Sequence, residues 1–168
     1  MNIGKLCNRD LVSVAASTSL YEVARLMCER HVGAVVVTKS PMDRPVPVGM
    51  ITDRDITRVQ LHSGRDLSEL SSEEVMTRDP LVLCEDEALE GGLGRMRLRG
   101  VRRAPVVTAH GMLVGVVSTD DLIAQLAREL SALARLLDLQ PIREALRQGP
   151  ATGAAQAKRP GRFRARFR

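Results

Sequence analysis

The sequence predicts an α/β fold built from one β-α-β-β-α unit written twice. Three observations predict it. Residues 6–38 align on residues 75–107 at a constant offset of 69, and the offset drops to 66 beyond them. Each copy repeats the same succession of β-branched runs and helical apolar spacings. Finally, the core must be made from Val, Leu, Ile, Met and Ala, because there is one Tyr, no Trp, and two Phe that both fall in the last six residues.

The elements follow in order. Leu11–Val14 and Leu81–Cys84 read as short extended segments that open the copies. Leu20, Val23 and Met27, matched by Leu89, Leu93 and Met96, have the three-and-four spacing of a helix with one buried face. Ser17, Thr18 or Ser19 can cap the first of these helices, and Asp86 with Glu87 suits the start of the second. Gly91, Gly92 and Gly94 fall inside that second helix, where each costs about 1 kcal/mol relative to Ala. They either allow a close approach or leave the helix frayed.

Two Val-rich runs follow in each copy, Ala34–Val37 with Val46–Ile51 and Ala104–Val107 with Leu113–Val117, and they read as strands. The change of offset places three extra residues in TKSPMDRPVP, a Pro-rich connection of the first copy where added length costs little. A second helix starts at Asp53 and at Thr119. The last one carries Leu122, Leu126, Leu130, Leu133 and Leu137, and it is expected to run from about Asp120 to Gln140 and to stop at Pro141. Residues 142–148 can add a helical turn. The expected divisions are residues 1–68, residues 69–140, and a basic, disordered extension at 141–168.

Composition limits the function classes. The net charge is +5, yet residues 158–168 hold six basic residues and no acid, so the rest is near neutral. Cys7, Cys28 and Cys84 are odd in number and form no CxxC, which argues against a disulfide framework or a metal site. The N-terminus lacks an apolar signal core and the longest apolar run, Val32 to Val37, is too short to span a bilayer. A cytoplasmic protein without membrane contact is expected. His31, His62 and His110 have no repeat-matched partners, so no catalytic residues and no metal ligands are assigned. Asp53, Asp55, Asp120 and Asp121 read more simply as helix starts than as a metal cluster.

The chemistry is expected at two corners, GMITDRD at residues 49–55 and GVVSTDD at residues 115–121. Both read Gly, two apolar residues, Ser or Thr, two variable residues, Asp. A helix N-terminus offers unpaired N–H groups and a positive dipole end to a phosphate. The hydroxyl of Thr52 or Ser118 either adds a donor to that phosphate or caps the helix. A carboxylate three residues on, Asp55 or Asp121, suits vicinal ribose hydroxyls better than phosphate.

The β-α-β-β-α repeat with G-x-x-[ST]-x-x-D at its last strand–helix junction resembles the CBS domain, which occurs in tandem pairs. VMTRDPLVL (residues 75–83) is similar to the family's opening of a repeat, and RRAPVV (residues 102–107) to its second strand. The resemblance covers residues 1–130. It implies two repeats packed as a pseudo-two-fold pair with two clefts, a homodimer, and an adenosyl ligand such as AMP, ADP, ATP or S-adenosylmethionine, with no bound cofactor. Thr52 and Asp55 would serve one cleft, Ser118 and Asp121 the other. The base would rest among Leu11, Pro80, Leu81, Val35, Val36, Ala104 and Pro105. Arg102 and Arg103 align with Gly33 and Ala34, so basic character is expected in the second copy alone; Arg54 would add charge to the first cleft.

The expected function is a non-catalytic, regulatory sensor of an adenine nucleotide or adenosyl ligand (AMP, ATP or S-adenosylmethionine), acting on an unidentified protein. Two alternatives stand beside it: a structural dimerisation module with degenerate clefts, and nucleic-acid binding through the tail, where Arg alternates with Phe163 and Phe167.

Overall fold

A computed structural model describes residues 1–39 and 45–147, with side chains to residue 137. The order is β1 (Ser13–Ala15), α1 (Leu20–Arg30), β2 (Ala34–Thr38), β3 (Pro47–Thr52), α2 (Asp53–Ser63), α3 (Ser72–Val75), β4 (Thr77–Arg78), β5 (Leu83–Cys84), α4 (Leu89–Arg99), β6 (Arg103–Val107), β7 (Leu113–Ser118) and α5 (Thr119–Arg147). The β-α-β-β-α unit is present twice. The described residues divide into two units, with the boundary between Ala127 and Arg128.

Each repeat builds its own sheet. β1 runs parallel to β2, which pairs antiparallel with β3; β5, β6 and β7 repeat the arrangement. Even the irregularities match, with register shifts between Val37 and Thr38 and between Val106 and Val107.

The segment leading into each repeat pairs with the other repeat. β4 lies antiparallel on β3, with Met50 opposite Thr77, and Asn8 bridges Val116 on β7. These are equivalent positions under the 69 and 66 offsets. The same exchange recurs upstream. The Leu20 amide donates to the Leu70 carbonyl at 2.9 Å, and the Leu89 amide to the Met1 carbonyl at 3.2 Å.

The cores are mixed accordingly. Val14, Leu20, Val23, Met27, Val35, Val37 and Ile51 close one core together with Leu70. Leu81, Leu83, Met96, Ala104, Val106, Val117 and Leu122 close the other together with Ile3. Burying the Val, Leu, Ile and Met side chains among these contributes about 1.5–3 kcal/mol each. Leu89 and Leu93, expected inside with Met96, are only half-buried.

Gly92 explains itself through the exchange. A Cβ there would meet Ile3 Cδ1 at 2.7 Å, so the glycine admits the lead-in segment. Gly94 faces open space, and α4 nonetheless forms whole. Ser19 caps α1, accepting from the Glu22 amide at 3.3 Å, whereas Ala88 precedes α4 with no side-chain cap. Glu87 instead accepts from the Cys84 amide and from Arg95.

The expected stop at Pro141 is corrected: α5 continues through it to Arg147. A proline removes one intrahelical bond, but good helix formers on both sides (Leu137 and Leu139; Arg143, Glu144 and Ala145) sustain the rest. The same helix runs through the start of the extension expected to be disordered; residues 148–168 lie outside the described residues. Ile123, Leu130 and Leu137 on α5 are exposed.

Candidate functional site

Two cavities open where β3 meets α2 and where β7 meets α5. The larger, about 470 Å³, is lined by Thr52, Arg54 and Asp55 from the first repeat and by Pro80, Leu81, Arg102 and Arg103 from the second. The smaller, about 260 Å³, is lined by Ser118 and Asp121 from the second repeat and by Leu11, Ala34 and neighbours from the first. Only the larger falls in the usual range for small-molecule pockets, about 300–1,000 Å³.

Every corner residue named from the sequence therefore lies at a cavity. Arg102 and Arg103 were expected to make the second copy alone basic, with no cleft assigned to them. Arg102 lines the cavity of Thr52 and Asp55, and Arg103 lines both. The cause is the exchanged lead-in segments, which turn the α4–β6 junction of one repeat toward the β3–α2 corner of the other.

Val35, Val36, Ala104 and Pro105 do not line either cavity. Strand alternation puts Val35 and Ala104 into the two cores, and Val36 and Pro105 are buried as well. The cavities sit at the strand beginnings, so the first residues of β2 and β6, Ala34 and Arg103, reach them instead.

Both hydroxyls cap their helices. Thr52 Oγ1 accepts from the Asp55 amide at 3.3 Å and donates to Asp55 Oδ2 at 2.7 Å, while the Thr52 amide donates to the same oxygen at 2.9 Å. This is a complete capping box. Ser118 Oγ likewise donates to Asp121 Oδ2 and accepts from the Asp121 amide at 3.1 Å. With each hydroxyl proton committed to a carboxylate, the arginines are the stronger phosphate donors here.

Charge separates the cavities. The larger contains Arg54, Arg78, Arg99, Arg102 and Arg103 against Asp53, Asp55 and Asp79. The smaller contains Arg103 and His31 against Asp10, Asp120 and Asp121. Sequence reasoning missed Asp10, Arg78 and Asp79 as lining residues, although the repeated Arg-Asp pair at 9–10 and 78–79 was a usable signal. Asp79 holds φ of 48°, in the left-handed region that Asp tolerates better than most residues.

Both corner glycines serve the exchange. A Cβ on Gly49 would meet Met76 Cγ at 2.7 Å; one on Gly115 would meet the Asn8 carbonyl oxygen at 2.7 Å. Among the described residues, no cluster of three His, Cys, Asp or Glu side chains could hold a metal ion, and no helix is long and apolar enough to cross a membrane.

Fold and cavities together define a paired-repeat module in which each cleft is assembled by both repeats. The chain belongs to the CBS domain family, whose model matches twice, at residues 3–62 and 72–128. A CBS domain-containing protein of Bacillus subtilis is 32% identical over 130 residues, covering 74% of this chain and 86% of that protein. An uncharacterized protein of Methanopyrus kandleri is 26% identical over 123 residues, which are 73% of this chain but 61% of the longer relative. Among solved structures, a CBS domain protein of Pyrobaculum aerophilum complexed with AMP superposes with a TM-score of 0.64 at 28% identity, covering 73% of this chain and 90% of that one.

Proposed function

We propose that the chain is a non-catalytic regulatory module that binds an adenine nucleotide in the larger cavity. One observation carries the reading: a cavity of about 470 Å³ sets five arginines beside a helix-start aspartate and the apolar pair Pro80 and Leu81. The arginines Arg54, Arg102 and Arg103 receive the phosphate through charge-assisted bonds. Asp55 accepts from the ribose hydroxyls, and the base rests on Pro80 and Leu81. The AMP complex of the Pyrobaculum relative supports the ligand class. Because both repeats wall the cavity, a bound nucleotide favours one angle between them, provided its affinity differs between the two arrangements. A homodimer carries that change to a regulated protein.

Calorimetric titration with AMP, ATP and S-adenosylmethionine tests this on the whole chain and on the Asp55→Ala/Asp121→Ala double variant. A dissociation constant below millimolar, weakened in the variant, is expected. If none of the three binds, a dimerisation module with degenerate clefts replaces the sensor.

A further inference from the structure

We propose that the chain holds one phosphorylated ligand, not two, because Arg102 and Arg103 are contested between the cavities and the smaller one is left acidic. The proposal rests on the nucleotide reading and adds its stoichiometry and its source of discrimination.

Arg103 begins β6 between the two cavities and lines both. Its Nη1 donates to the Gly33 carbonyl, which belongs to the smaller cavity, over 3.5 Å. That bond is longer than the usual 2.7–3.2 Å range and gives way readily to a charge-assisted bond with phosphate. Arg102 shows the same division. It lines the larger cavity, yet its Nη2 pairs at 3.2 Å with Asp120, which lines the smaller one. Both groups of that pair are mostly exposed, so the pair itself is weak.

A phosphate in the larger cavity therefore draws on two guanidinium groups that otherwise serve the rim of the smaller. The smaller cavity is then left facing Asp10, Asp120 and Asp121, with Asp120 released from its partner. The repeat offset shows why no second arginine pair compensates, His31 being the one other basic side chain that lines the smaller cavity. The counterparts of Arg102 and Arg103 in the first repeat are Gly33 and Ala34, which carry no charge. The smaller cavity thus discriminates by charge against a second phosphorylated ligand.

The test is the number of AMP molecules bound per chain, measured by calorimetry and by equilibrium dialysis. Wild type is expected to bind one. Two variants should open the second site: Gly33→Arg, which restores the repeat-equivalent of Arg102, and Asp10→Asn/Asp120→Asn, which removes two charges at exposed positions. A Cβ on Gly33 meets nothing nearer than 3.4 Å, and its φ lies outside the left-handed region, so the backbone accepts the change. In each variant a second AMP site should appear, tightened about tenfold or more, corresponding to about 1.4 kcal/mol. Two equal AMP sites in wild type would overturn the inference and leave the nucleotide reading intact. A count fixed at one in both folded variants would also overturn it. No AMP binding to any form would remove the nucleotide reading and the inference together.

Discussion

The two cavities are built from the same parts in the same order, yet they differ in size and in sign of charge. Each combines a strand-to-helix corner of one repeat with the lead-in and helix-to-strand junction of the other. Four arginines (Arg54, Arg78, Arg99 and Arg102) line the larger cavity and not the smaller, and Arg103 stands between them. Pseudo-symmetry of the backbone thus fixes where the cavities form, while a few side chains at repeat-equivalent positions fix the charge each one carries.

The largest effect should come from removing this asymmetry. Arg102→Ala/Arg103→Ala deletes two charge-assisted bonds worth roughly 1.5 kcal/mol each, so AMP affinity should fall about a hundredfold. Ser118→Ala/Asp121→Ala, at the other corner, should change it less than about threefold. Comparable losses in both pairs, measured by titration, would mean that the cavities share one role.

A smaller difference should separate the corner glycines. Gly115→Ala forces a Cβ against the Asn8 backbone oxygen at 2.7 Å, whereas Gly49→Ala meets Met76, whose Cγ can swing aside but whose Cβ, at 2.9 Å, moves only with its backbone. Overpacking of this kind costs about 1–3 kcal/mol, with Gly115→Ala expected toward the upper end and Gly49→Ala toward the lower. Urea denaturation midpoints check the order; equal shifts would show that the two crossings are equally tight.

The smallest effect concerns the cysteines. Burial is the main influence pushing the Cys7 thiol above its ordinary pKa, and Arg9 opposes it only in part. Cys7 should therefore stay protonated at pH 8 and react with iodoacetamide more slowly than the exposed Cys28. The Gly115→Ala protein, in which a new Cβ presses on Cys7 Sγ, should narrow that gap by loosening the crossing.

Much of this was legible from the chain alone. The constant offset, the Val-rich runs and the three-and-four spacings specified both β-α-β-β-α units, since each is a local pattern that the backbone converts directly into strand or helix. The repeated G-x-x-[ST]-x-x-D located both corners, because capping acts over three residues. Ser19 as a cap was likewise readable. Pro141 misled because a single proline was weighed without the helix formers on either side of it.

What the sequence settled is the inventory: two equivalent units, two equivalent corners, an aliphatic core, and a basic pair present in one copy only. What the tertiary structure alone decided is partnership. The exchange of lead-in segments gives Ile3 to the second repeat's core and Leu70 to the first, hands Arg102 to the opposite corner, and requires glycine at 49, 92 and 115. The reason is physical: helix caps and strand alternation act between near neighbours in the chain, whereas contacts about seventy residues apart depend on how whole sheets and segments pair in space.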